Sequence, residues 1–290
     1  MEAFETCLEA LLSPTDVGDD VVWRAARYSL LGGGKRVRPQ LLLRAYATFK
    51  DAPTETVLRF AAALEMVHTY SLIHDDLPAM DDDDTRRGKP ACHIAFGEAT
   101  AILAGDLLLT RAFETLLEAY ADDPNPGALR AMHTLARAAG GRGMILGQSL
   151  DLAMEASSAD VPLDRVHRMA SLKTACLIRA AVTMGAHLAN APDAAVRCMD
   201  RYGEAIGVAF QAQDDRLDVT SSKAELGKSI RKDERDDKKT FVTVAGMAAT
   251  TDILDRLTAD AFDALHALER AGHDPRPLSE YTQTLLERTM

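Results

Sequence analysis

Apolar residues recur at three- and four-residue spacing along nearly the whole chain, with Ala and Leu predominant. That is the period of one helical face, and both residues are strong helix formers. No stretch alternates apolar and polar positions for long, so the pattern predicts helices and no sheet. Periodic segments stand out at 54–76, 96–121, 127–155, 163–189 and 193–220, each with room for 20 or more helical residues. The usual helix averages about 11–12. Prolines punctuate these segments: SADVPLDRV and NAPDAAVR each set a capping-type residue before a proline just inside an expected helix start. Residues 221–239, SSKAELGKSIRKDERDDKK, are polar and charged and read as a mobile loop.

Long apolar-striped helices without strands predict an all-α fold, one large bundle of long helices. No linker, low-complexity tract or break in composition divides the chain, so residues 1–290 read as a single domain. With 47 % hydrophobic residues the chain has material for a sizeable core. A net charge of −11 argues against a general nucleic-acid or anionic-membrane binder. No run of 18 apolar residues is present, and the first residues, MEAFETCLEALL, lack the basic start of a secretory signal. The expectation is a soluble cytoplasmic protein. Cys7, Cys92, Cys176 and Cys198 are too dispersed to read as a disulfide framework or a zinc site.

Charge is far from evenly spread. SLIHDDLPAMDDDDTRRGKP holds six aspartates between 75 and 84, and FQAQDDRLDVT adds Asp214, Asp215 and Asp218. Asp214 and Asp218, four apart, share a helix face. A faint internal echo places each Asp-Asp pair at the end of a long helix. Carboxylates gathered without His or Cys favour a hard dication such as Mg²⁺, which takes one or two carboxylates and completes its shell with water and phosphate oxygens. A solvated acidic loop would explain the first segment alone; the second Asp-Asp-x-x-Asp weighs against that. Some of Asp82, Asp83 and Asp84 then face water.

The basic counterpart is GGGKRVRP at 32–39, where Lys35, Arg36 and Arg38 follow three glycines, together with Arg86 and Arg87. Flexible backbone beside such cations suits an anion with several oxygens. His68 lies two helical turns before Asp75. Lys173 and Thr174 sit inside an apolar helix, where a lysine either snorkels or meets an anion. Gln148, Asp151 and Gln211 read equally well as ordinary buried hydrogen-bonding groups.

Together these stretches, with FGEATAILAGDLLL, GQSLDL and LKTACLIRAA, carry a resemblance over nearly the whole chain. The chain resembles the trans-prenyltransferases of the polyprenyl diphosphate synthase family and is most similar to the bacterial farnesyl diphosphate synthases. The resemblance implies an all-α barrel around a deep central cavity, usually a homodimer. It implies head-to-tail condensation of an allylic diphosphate, dimethylallyl or geranyl, with isopentenyl diphosphate. Asp75, Asp76, Asp81, Asp214 and Asp218 would bind three Mg²⁺ that grip the allylic diphosphate. Arg86, Lys173 and Lys228 would touch that diphosphate directly, while Lys35, Arg38, His68 and Arg87 would bind isopentenyl diphosphate. Thr174 and Gln211 would face the allylic cation.

Tyr70, five residues before Asp75, lies about 7.5 Å deeper along a helix. In this family a bulky residue there floors the chain pocket, which implies a C15 product; a geranylgeranyl product is the alternative. The chain departs from its relatives after the second motif. Where they often read Gly before Lys-x-Thr-(Tyr)-Pro, it has Asp237-Lys238-Lys239-Thr240-Phe241-Val242. That leaves the shape of the loop open although Lys238 keeps its match. Asp233 is a candidate outer metal-site acid, and Arg288 stands near the C-terminus. A class I terpene cyclase would lack the basic segment. A non-catalytic partner subunit would lack aspartates, and an acidic scaffold bundle would leave Lys173 and the arginines unexplained.

Overall fold

The computed structural model of the chain describes residues 1–13, 20–157, 160–225 and 238–286. The elements run α1 (Glu2–Leu11), α2 (Val21–Leu30), α3 (Val37–Ala47), α4 (Glu55–Asp75), β1 (Thr85–Arg86), β2 (Lys89–Pro90), α5 (Cys92–Phe96) and α6 (Glu98–Asp122). They continue α7 (Pro126–Ala139), α8 (Met144–Glu155), α9 (Leu163–Ala170), a π-helical turn (Ser171–Ala175), α10 (Cys176–Leu188), α11 (Asp193–Glu225), α12 (Phe241–Arg270) and α13 (Arg276–Leu286). The fold is all-α, as the periodicity predicts.

Polar residues at the starts fix several helices. Asp20 caps α2, Thr54 caps α4, and Asn125 caps α7 ahead of Pro126 in the first turn. Pro162 departs by one position from the sequence expectation: it occupies the N-cap of α9 instead of its first turn. Helix α10 is the centre of the bundle and packs against α3, α7, α11 and α4. It is apolar on nearly every face, as a helix surrounded by others must be. Helix α4 lies along α6, and α11 along α12. A second apolar cluster gathers Met154, Val166, Met169, Phe241 and Leu254 beneath α8, α9 and α12.

The long periodic segments are more broken than their patterns suggest. The 127–155 segment divides into α7 and α8 around Gly140–Gly143, and 163–189 divides at the π-turn. Helix α11 does not stop near Asp214; it continues to Glu225, so the expected loop at 221–239 begins as helix. The internal echo therefore fails: only the first Asp-Asp pair ends a helix. Among the described residues the only strands are the two-residue pieces β1 and β2, a hairpin the periodicity could not reveal. Its turn places Arg87 at φ 55 and Gly88 at φ 74. Two successive left-handed residues are the signature of the type I′ turn that matches strand twist.

Candidate active site

Helix α4 delivers the first acidic segment. Beyond its end the chain folds back, with Asp81 N donating to Asp75 O at 2.8 Å and Met80 N to Leu77 O at 2.8 Å. Asp82, at φ 50, takes the left-handed position of that turn. The fold-back sets Asp81 beside Asp75 despite five intervening positions. Burial pushes the Asp75 carboxyl up from 3.8 to about 6; Lys173 and Arg86 pull it down, and Asp81 and Asp76 push it further up. A half-buried carboxylate beside other carboxylates is a site short of positive charge.

Asp76 behaves differently. It is 2 % exposed. Its Oδ1 accepts from Arg86 Nε at 2.9 Å and also from Arg86 Nη2, which in turn reaches Asp83 Oδ2 at 3.3 Å. Asp76 and Arg86, expected as a metal ligand and a diphosphate contact, are bound to each other. Asp76 Oδ1 is taken up by that pair, so Asp76 serves first to hold Arg86. Asp82 and Asp84 face solvent.

Opposite lies the π-turn. It carries Lys173 and Thr174 where a regular helix was expected, and such single-turn bulges are frequent at functional sites. Two glycines allow it to be packed this closely. A Cβ on Gly147 would stand 2.2 Å from Lys173 N, and one on Gly207 would stand 2.6 Å from Ala175 Cα. Lys173 Nζ donates to Asp151 Oδ2 at 2.5 Å. Lys238 Nζ lies 3.7 Å from both Asp81 and Glu155. Helix α8 thus supplies two carboxylates, one turn apart, that face the lysines of the site.

Thr174 Oγ1 donates to Gln211 Oε1 at 2.7 Å, and Gln211 Nε2 donates to Asp215 Oδ1 at 2.8 Å. Phe241 N, at the start of α12, donates to Asp215 Oδ2 at 2.9 Å. That bond ties the start of α12 to α11. Thr240 and Thr243 form a reciprocal capping box there, and Val242 sits in the first turn. Asp214 is close enough to Arg38 for its charge to raise that guanidinium's pKa, and exposed Asp218 acts likewise on Asp215.

The basic segment divides its roles. Arg36 caps α3 in a left-handed conformation at φ 47 and is buried against Glu65 at 2.9 Å and Glu5 at 3.0 Å. Lys35 points outward. Arg38 Nη1 meets His68 Nε2 at 3.2 Å. A guanidinium only donates, so His68 accepts at Nε2 and carries its proton on Nδ1. Burial, then Arg38, Arg87, Arg86 and Arg36, hold His68 well below 6.5, so the ring is neutral. Burial likewise lowers Arg38 and Arg87. Arg87 donates to Gly33 O and lies 4.0 Å from Glu65. A Cβ on Gly34 would come within 2.9 Å of Arg87 Cζ, so this glycine lets the hairpin close onto the basic segment. Arg38, His68 and Arg87 come together; Lys35 is beside them in sequence but solvent-facing.

Tyr70 is 7 % exposed and packs edge-on against His74 at 5.8 Å. Burial, with the Asp75 charge, pushes its hydroxyl up to about 12. His74 is wedged against α6: Nε2 is 3.1 Å from Ile102 O, and a Cβ on Gly105 would overlap the ring. Lys228, Asp233 and Arg288 lie outside the described residues. Sequence reasoning missed Glu65, Glu155 and Asp215 as organising acids. It also missed the π-turn, whose one legible trace is the pair of helical glycines 147 and 207.

Among the described residues no three Asp, Glu, His or Cys groups form a ready-made metal cage. The oxygen-only donors, and an Asp75 that Lys173 and Arg86 only partly compensate, nonetheless fit Mg²⁺, which needs only one or two carboxylates besides water and phosphate.

The family model described as polyprenyl synthetase matches residues 19–271. The chain belongs to the polyprenyl synthetase family. Curated relatives include the farnesyl diphosphate synthase of Escherichia coli (strain K12), 41 % identical over 285 residues, covering 97 % of this chain and 94 % of that protein. The farnesyl diphosphate synthase of Micrococcus luteus is 39 % identical over 94 % of this chain and 92 % of its own length. An Arabidopsis thaliana chloroplastic geranylgeranyl pyrophosphate synthase is 42 % identical over 92 % of this chain and 77 % of its own. Among solved structures, the Legionella pneumophila geranyltransferase superposes with a TM-score of 0.86 at 36 % identity, covering 99 % of this chain and 94 % of that one. The polyprenyl synthetase assignment agrees with the motifs and with the all-α bundle.

Proposed function

We propose that this polyprenyl synthetase condenses isopentenyl diphosphate with dimethylallyl and geranyl diphosphates, head to tail, to give farnesyl diphosphate. The observation that carries this reading is the meeting of two opposed charge clusters at one end of α4. Asp75 and Asp81 face Lys173, and a few turns away Arg38 and Arg87 crowd around neutral His68. Carboxylates there suit a metal-bound diphosphate; the paired guanidiniums suit a second, metal-free one.

Asp75, Asp81, Asp214 and Asp218 would hold up to three Mg²⁺, with Asp76 acting through Arg86. Bound there, Mg²⁺ would neutralise charge that builds on the departing allylic diphosphate. Lys173, Arg86 and, outside the described residues, Lys228 add fixed positive charge on the same group. Arg38, Arg87 and His68 orient isopentenyl diphosphate, and solvent-facing Lys35 adds charge at the rim; the imidazole offers its Nδ1 proton as a neutral donor. Thr174 turns its oxygen toward the allylic cation, and Gln211 holds the Thr174 hydroxyl from behind. The isopentenyl double bond attacks that cation, and the leaving diphosphate takes the released proton. Tyr70, backed by His74, closes the pocket at C15.

The whole chain acts as one catalytic domain, working in the cytoplasm. Its four cysteines are free thiols, and among the described residues no helix is long and apolar enough to cross a membrane. It assembles as a homodimer through α6 and α7, where Leu103, Leu117 and Leu129 are more than half exposed at 53 %, 63 % and 51 %. Leu103 and Leu117 lie about four helical turns apart on one face. The test is product analysis with isopentenyl diphosphate and each allylic diphosphate in the presence of Mg²⁺. A second reading, geranylgeranyl diphosphate synthesis, is favoured by the Arabidopsis thaliana relative and is separated by the same assay.

A further inference from the structure

Asp215, the middle aspartate of the second acidic motif, is turned away from the diphosphate role its neighbours suggest. It is 6 % exposed. Its two oxygens are both engaged, Oδ1 by Gln211 Nε2 at 2.8 Å and Oδ2 by Phe241 N at 2.9 Å. An ionised carboxylate can only accept. The Gln211 amide must therefore present its NH₂ to Asp215 and its carbonyl to Thr174. That carbonyl in turn can only accept, so the Thr174 hydroxyl must give it its proton, at 2.7 Å. The lone pairs of Thr174 Oγ1 are then left pointing away from Gln211.

Other helical threonines show what Thr174 would do without this arrangement. Thr183, Thr250, Thr251 and Thr258 each donate to the carbonyl four residues back. Thr174 lies in the π-turn and donates across to α11 instead.

We infer that Asp215 is a positioning residue that sets the polarity of a Thr174–Gln211 relay, so that the Thr174 oxygen, and not its proton, is presented to the allylic cation. This deepens the proposed reaction and rests on the reading that Thr174 faces that cation. Asp215 acts through two other side chains and does not itself need to touch substrate or metal.

The relay makes an atom-level forecast. In Asp215→Asn the single side-chain oxygen keeps the Phe241 N–H, and the new NH₂ faces Gln211. The Gln211 amide must flip and its NH₂ now donates to Thr174, so one of the two free lone pairs of Oγ1 is taken up and the displaced hydroxyl proton swings off the line to Gln211. Turning one preorganised dipole around costs roughly 10²-fold in kcat. The KM for isopentenyl diphosphate and the Mg²⁺ concentration for half-activity stay as in the parent enzyme. In Asp215→Asn/Gln211→Glu the introduced carboxylate accepts both from the introduced amide and from Thr174, the original polarity returns, and at least tenfold of the lost kcat is recovered.

The experiment measures steady-state kinetics with geranyl and isopentenyl diphosphates for Asp215→Asn, the double variant, and Thr174→Val alone and combined with Asp215→Asn. The inference expects rescue by Gln211→Glu and a nearly silent Asp215→Asn change once Thr174 is replaced by valine. Absence of rescue, a raised Mg²⁺ requirement in Asp215→Asn, or fully multiplicative losses would overturn it. If Thr174→Val alone leaves kcat unchanged, the cation-facing reading itself fails, whatever Asp215 does. Should Asp215→Asn not fold, the same cycle with Gln211→Leu and Thr174→Val decides, since Gln211 too must act through Thr174.

Discussion

Asp75 is held in a state that the folded protein tolerates at a cost. Its folded pKa is raised from 3.8 to about 6. Between those values the folded form binds a proton that the unfolded chain does not, so this group lowers stability as pH rises through the window, and the loss is complete above about 6. At neutral pH the metal-free protein carries that penalty, about 1–2 kcal/mol after allowing for water at a half-buried carboxyl. Asp75→Asn should therefore raise the metal-free melting temperature at pH 7 by a few degrees and leave it nearly unchanged near pH 3. The same substitution should lower turnover by roughly 10³-fold, since it removes a charge from the proposed metal site. A scan of melting temperature against pH, paired with a rate assay, checks both halves; a variant less stable at pH 7 would count against the assignment. Tyr70→Ala removes the proposed aromatic floor beside His74 and should shift the proposed C15 product toward C20, read by chromatography of the dephosphorylated alcohols. Unchanged C15 output would place the floor elsewhere.

Among the elements, the π-turn at Ser171–Ala175 is the feature that organises the site and the one periodicity concealed. The apolar spacing of 163–189 continues straight through it, because a bulge of one turn shifts phase without removing apolar positions. Its only trace in the sequence is the pair of helical glycines, and the fold shows what they do: Gly147 lies beneath Lys173 N and Gly207 beneath Ala175. Gly147→Ala should cost about 1–3 kcal/mol of stability by overpacking. It should also lower kcat more than KM, because Lys173 and Thr174 move with the turn; melting curves and steady-state kinetics test this together. The first acidic segment was readable because carboxylate crowding survives in one dimension, yet the residues could not say that Asp76 is committed to Arg86. That pairing depends on the hairpin, which brings Arg86 back over the end of α4. GGGKRVRP likewise read as one basic unit, while the fold divides it into Arg36 buried on Glu65, Arg38 on His68 and Lys35 in solvent.

For the molecule as a whole, the all-α bundle followed from a period of three to four sustained over nearly every segment. Long-range facts were beyond that pattern: which helix lies at the centre, and which exposed leucines await a cover. Leu103→Glu/Leu117→Glu should convert the proposed dimer to a monomer, read by light scattering after gel filtration. A monomeric parent protein would refute the assembly without touching the chemistry. One assay tests the condensation itself. Purified protein is given Mg²⁺, isopentenyl diphosphate and geranyl diphosphate, and the products are dephosphorylated and identified. Farnesol is expected as the main alcohol, abolished by EDTA and restored by excess Mg²⁺. No condensed product at saturating Mg²⁺ and substrate would contradict it.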